Sequence, residues 1–143
     1  MYFCIVFYMI LKSKAIVLRS LKFGDSSLII DMFTELEGRI SFITRIPKTA
    51  KGKIKKQYFQ PLTLLDLEFD YRPRTSLQRI KEVRILRPYG SIPFDPVKSA
   101  ILLFLSEFLY YVTRGEQQNA HLYKYMCASM EWLDEAEHDY ANF

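Results

Sequence analysis

Between Arg45 and Lys56 the chain places six cations in twelve residues with no acid among them: Arg45, Lys48, Lys51, Lys53, Lys55 and Lys56. Lysine carries a compact charge on a flexible stem, so such a run suits phosphate neutralisation and counterion release rather than base reading. Tyr58 and Phe59 follow at once. Their rings could stack on nucleic-acid bases, or pack onto the fold as the loop returns. Arg39 and Arg45 fall on the face of a strand that does not point at the core, and Arg72 and Arg74 sit in a later turn. Together Arg39, Arg45, Lys48, Lys51, Lys53, Lys55, Lys56, Arg72 and Arg74 make up a candidate DNA-binding set. Arg72 and Arg74, with Arg79, Lys81 and Arg84 beside them, are the weaker candidates.

Covalent chemistry is poorly represented. His121 and His138 are the only histidines and lie 17 residues apart, which is not ligand spacing on a helical turn. Asp66, Glu68 and Asp70 share one strand face, where solvation is a simpler role than metal binding. No phosphate-binding glycine loop, dinucleotide fingerprint or nucleophile elbow is present. Cys4 and Cys127 form neither a disulfide framework nor a four-ligand zinc site. The expectation is a binding protein, not an enzyme, with no cofactor and no metal.

Charge supports the same direction. The net charge of +4 conceals an asymmetry: residues 1–87 hold 17 Lys and Arg against 8 Asp and Glu, and residues 88–143 hold 3 against 8. A basic half joined to an acidic one suggests that the first half meets a polyanion. Half of the 143 residues are apolar and 15% are aromatic, enough for a packed core. The opening run, residues 1–11, is apolar but shorter than the about 20 residues a membrane span needs. It also lacks the basic start of a secretory signal. A cytoplasmic protein without membrane contact is expected. Met9 precedes a clean strand pattern, so residues 1–8 read as an upstream extension, with an extra edge strand as the competing reading.

The elements that must carry the cations are strands. Residues 13–21, 27–34 and 39–46 read as strands, separated by Lys22-Phe23-Gly24-Asp25 and by Glu35-Leu36-Glu37-Gly38. In the third, Ile40, Phe42 and Ile46 alternate with Arg39, Ser41, Ile43 and Arg45. Residues 47–60 form the basic loop. From 62 to 71, Leu65, Leu67, Phe69 and Tyr71 alternate with Asp66, Glu68 and Asp70, the pattern of a half-buried antiparallel strand. A fifth strand spans 77–87, with a parity change between Ile80 and Val83 that signals a bulge. Five strands with a long insert between the third and fourth match an OB-type barrel, whose closure removes exposed edges.

Helices follow. Asp95 reads as an N-cap with Pro96 at the first helical position, and residues 97–113 are apolar on nearly every face, as in a helix buried on most sides. Gly115 is the expected C′ residue. A second helix is expected from about Ala120 to Glu135, burying Leu122, Tyr125, Met126, Met130 and Leu133. Two helices do not easily cover the first, so further helices beyond residue 143 are expected. The reading is α+β overall: an extension over 1–8, a mainly β OB-fold over 9–88, and the first helices of an incomplete helical domain over 89–143.

The segment KSKAIVLRSLKFGDSSLIIDMFTELEGRISFITRIPKT resembles the N-terminal barrel of the RecO family, recombination mediators of bacterial DNA repair. The match rests on the opening K-x-x-A-I-V-L-R, Gly24-Asp25, Met32-Phe33-Thr34, Gly38-Arg39 followed six residues later by Arg45, and Pro61-Leu62 opening a long strand. FLSEFLYY at 104–111 resembles the first helix of that family's helical domain. The resemblance covers about residues 9–143. It implies binding of single- and double-stranded DNA, annealing of complementary strands, and help in loading the recombinase RecA onto strands coated by single-strand-binding protein. RecR, and often RecF, are the implied partners, at the nucleoid. Basic barrel residues matching Arg39 and Arg45 are implied DNA contacts. The chain departs from the family pattern at Ile46, where members often have Gly, and it lacks the cysteine cluster that binds zinc later in many members. The alternative is a basic OB-type protein-interaction module without annealing activity.

Overall fold

The computed structural model describes residues 9–47 and 54–137. Five strands, β1 (Met9–Phe23), β2 (Ser27–Thr34), β3 (Gly38–Arg45), β4 (Leu64–Tyr71) and β5 (Gln78–Ile85), close into a barrel in the order β1-β2-β3-β5-β4. All neighbours are antiparallel except β3 and β5, which run parallel at Phe42↔Gln78 and Ile43↔Arg79. Two helices follow, α1 (Pro96–Val112) and α2 (Ala120–Glu135). This is the expected five-stranded OB-type barrel followed by helices. The extension over residues 1–8 lies outside the described residues, as do the lysines at 48, 51 and 53.

Two cores share the wall formed by β1, β2 and β4. Inside the barrel, Ala15, Val17, Ile30, Met32, Phe42, Leu65, Leu67 and Phe69 are all but inaccessible to solvent, and Phe42 meets Phe69 edge to face at 5.0 Å. The second core lies between the barrel's outer face and the helices, where Ile16, Leu18, Phe33 and Leu64 pack against Leu102, Tyr123, Met126, Met130 and Leu133. Residues 15–18 are therefore apolar without a break because both sides of β1 are buried there.

Beyond them β1 changes face. The pairing with β2 slips between Val17 and Arg19, leaving Leu18 as an extra residue. Arg19, Leu21 and Phe23 then point outward, where an unbroken alternation would have aimed Ser20 and Lys22. The strand is also longer than the sequence pattern predicts, at both ends. The bulge expected in β5 is present: Glu68 pairs Glu82 while Phe69 pairs Ile80, leaving Lys81 over.

The helices differ from expectation in two respects. Asp95 caps α1, accepting the N–H groups of Val97 and Lys98. The helix closes on Thr113, however, and Gly115 takes its left-handed backbone (φ 71°) two positions on, in the turn to Glu116. Moreover α1 is buried along one side only. Leu103, Phe104, Phe108, Tyr111 and Val112 are each more than half exposed, because α2 and the barrel occupy the opposite side. On α2, Tyr123 is buried and Tyr125 is 72% exposed, which reverses the expectation for Tyr125. Lys98 is buried and reaches Ser91 Oγ (2.8 Å) and Ala136 O (2.6 Å), tying the start of α1 to the end of α2.

Candidate nucleic-acid interface

Cross-strand register assembles the outer barrel face row by row. Ile16 pairs with Leu64 and Phe33, and Phe33 with Arg39, forming the row that the helices cover. Next comes Arg19, Asp31 and Ser41. Then follows Leu21, Ile29, Ile43 and Arg79, and at the open end Phe23, Ser27 and Arg45. The last two rows lie beyond the helices.

Arg39 sits on the covered side of this boundary. Its backbone N–H donates to Glu116 O at 3.0 Å. Its Nη1 donates to Tyr110 O (2.7 Å) and Thr113 Oγ1 (3.2 Å), and the guanidinium lies 4.4 Å over the Tyr110 ring. The sequence reading places Arg39 on DNA; in the structure its side chain engages the C-terminal end of α1, where a cation meets unpaired carbonyls and the negative end of the helix dipole. Gly38 allows that approach. Its φ is 74°, and a Cβ there would fall far inside contact distance of the Gln117 backbone. Arg19 and Arg114 flank the same Tyr110 ring at 4.9 and 5.4 Å.

Arg45 is exposed at the end of β3. Lys55 and Lys56 are exposed where the loop re-enters through a single 3₁₀ turn, Lys56–Phe59. Phe59 itself is 1% exposed and closes one end of the barrel core, so its ring is not available for stacking. Tyr58 is half-buried against the same core. Arg72 and Arg74 lie in the β4–β5 turn, which buried Gln78 closes by hydrogen bonds to the Arg72 N–H and the Arg72 and Thr75 carbonyls. This turn, Asp70 and Arg79 line a cleft of about 150 Å³. It stands beside the open row of the outer face. Asp66 is held by Arg84 at 3.1 Å, His121 is exposed, and among the described residues no group of three or more His, Cys, Asp or Glu could hold a metal.

The face therefore collects residues that the sequence reading passes over, Arg19, Leu21, Phe23, Ile29 and Ile43, beside Arg79, which it names as a weaker candidate. Their signal was present only as the run Lys22-Phe23 beside a glycine turn. Arg19, Arg45 and Arg79 are all exposed, and none forms an ion pair among the described residues. Two acids share the face: Asp31, across from Arg19, accepts the Ser41 hydroxyl, and Asp70 of β4 lies across from Arg79.

Residues 9–89 match the family described as recombination protein O N terminal, and residues 93–143 match recombination protein O C terminal. The chain belongs to the RecO family. RecO relatives named DNA repair protein RecO include that of Bacteroides fragilis, 50% identical over 135 residues, and that of Phocaeicola vulgatus, 42% identical over 135. The relative from Porphyromonas gingivalis is 34% identical over 139 residues. Each alignment covers 94% of this chain and 56% of the relative, so the chain spans about half the length of the RecO proteins it matches. Among the described residues no helix is long and apolar enough to cross a membrane.

Proposed function

We propose that this chain is the DNA-binding part of a recombination mediator, acting on single- and double-stranded DNA without strong sequence preference. It works by association alone, as a binding protein rather than an enzyme. Neutralising the phosphates of two strands lowers their repulsion, which is the physical requirement for annealing. Help in loading a RecA-type recombinase onto strands held by single-strand-binding protein, together with RecR and RecF, follows from the RecO resemblance, as does action at the nucleoid in the cytoplasm.

The observation that carries the reading is the pair of exposed guanidinium groups on the uncovered outer face, Arg45 and Arg79, neither in an ion pair among the described residues, with the lysine run following Arg45 in the sequence. Fluorescence anisotropy with labelled single and double strands, measured over a salt series, tests it. Each lost phosphate contact lowers the salt slope by about 0.7 on single strands and about 0.9 on duplex. Arg45→Glu with Arg79→Glu is expected to weaken binding to both, equally for different sequences, with a single-strand slope lower by about 1.4. Lys51→Glu, Lys53→Glu and Lys55→Glu together test the loop independently. Retention of an acidic protein tail with no DNA binding at low salt refutes the proposal and favours the protein-interaction alternative.

A further inference from the structure

On the uncovered outer face, cation and apolar side chains are arranged in rows rather than mixed. Leu21, Ile29 and Ile43 lie directly across from one another on β1, β2 and β3, and Arg79 continues that row on β5, with Asp70 of β4 beyond it. Phe23 and Arg45 bracket Ser27 in the adjacent row. Phe23 is 57% exposed and Leu21 is 46% exposed, with Ile29 and Ile43 half-buried beside them. Leu21 and Phe23 project outward because the bulge at Leu18 reverses the facing of the rest of β1. The helices that cover the opposite half of the barrel do not reach them.

An apolar strip with an exposed aromatic ring at one edge and guanidinium groups at its other ends fits a ligand with flat apolar faces and a flanking line of negative charge. Single-stranded DNA has both. A duplex keeps its base faces stacked inside and offers this surface only its phosphates. An acidic peptide supplies charge but no repeating planar faces, and nothing in the row selects a defined side chain.

We propose that this strip is a base-stacking platform selective for single strands, with Phe23 as its principal ring, the row Leu21, Ile29 and Ile43 as its bed, and Arg45 and Arg79 holding the phosphates alongside. This rests on the DNA-binding reading above and divides it into two parts. The cations serve any DNA. The platform serves unpaired bases.

The test compares Phe23→Ala, Phe23→Trp and the wild-type protein for a labelled oligo(dT) of about 15 nucleotides, within the site size of a single OB fold, and for a duplex of the same length. Phe23 is exposed at the end of a strand, so circular dichroism and melting of Phe23→Ala should match wild type. Expected for Phe23→Ala is binding to the single strand weaker by roughly ten-fold, with an unchanged salt slope and duplex binding within about two-fold. Phe23→Trp restores single-strand binding, and its indole fluorescence is quenched on titration with oligo(dT). Equal single-strand affinity of Phe23→Ala and wild type overturns the platform while leaving DNA binding by the cations intact. Equal losses on single strand and duplex overturn it as well. A wild-type protein that binds neither probe at low salt refutes the DNA-binding reading itself, and the platform with it.

Discussion

Replacing Arg39 separates two roles for one guanidinium. If it serves the seam between barrel and helices, Arg39→Ala removes hydrogen bonds to Tyr110 O and Thr113 Oγ1 and the stacking on the Tyr110 ring. A hydrogen bond contributes about 1 kcal/mol net, and the ring contact about 0.5–1 kcal/mol at a partly open site. Loss of a cation beside a helix C-terminus adds a few tenths. Together these give about 3 kcal/mol, or a fall in Tm of roughly 9 °C at about 3 °C per kcal/mol for a chain of this size. Arg39→Lys keeps the charge but not the planar fork, so about half the loss is expected. Urea or thermal unfolding, followed by far-UV circular dichroism, reads the stability. Anisotropy over a salt series reads DNA binding in the same variants at a temperature where they are folded. The seam assignment requires a clear drop in stability with the salt slope preserved. An unchanged Tm accompanied by a slope reduced by about one phosphate contact would refute it and return Arg39 to the DNA, where sequence alone had placed it.

Two further outcomes follow from the same structure. Gly38→Ala combines a left-handed backbone with a Cβ driven into the Gln117 backbone, so a loss of about 2–4 kcal/mol is expected in urea unfolding, larger than for a glycine in an open turn such as Gly24→Ala. Asp134 accepts the N–H groups of Gly90 (2.9 Å), Ser91 (2.8 Å) and Ile92 (3.0 Å). Burial works to raise its pKa, but these donors and the Ser91 hydroxyl outweigh it and hold the carboxyl below its ordinary value. Its contribution is thus fully present above the unfolded-state carboxyl pKa of about 3.9 and is lost as pH falls through the lower folded value. Stability measured from about pH 5 to about pH 3 should fall more steeply in wild type than in Asp134→Asn; parallel curves would sink this account.

Much of the barrel is legible in the residues because its signals are local. The alternation of Leu65, Leu67 and Phe69 with acids marks β4, the parity change before Val83 marks the bulge, and Asp95-Pro96 marks the start of α1. What sequence does not disclose depends on contacts distant along the chain. Leu18 is one more apolar residue in a run, and only its pairing with β2 reveals that the strand turns over there. Arg39 alternates correctly as an outward residue, yet outward at that position means against α1. Phe59 follows a lysine-rich loop and resembles a stacking ring until the barrel end is seen to need a plug. The candidate interface was accordingly half visible. Arg45 stood out in the dense basic run, whereas the place of Arg19 and Arg79 and the apolar rows exist only in register.

The sharing of β1 between the two cores has a kinetic consequence. Ala15 and Val17 line the barrel while Ile16 and Leu18, between and beside them, line the seam under the helices. Neither layer can open without exposing the other, so the barrel and the helices should melt as one unit, and the amide protons of residues 15–18 should be among the last to exchange with solvent. The platform at the far end of the same strand is thereby anchored at a point that resists local opening. A strand of DNA seated there would meet a surface already ordered before it arrives, so that little of the association free energy is spent on arranging the protein.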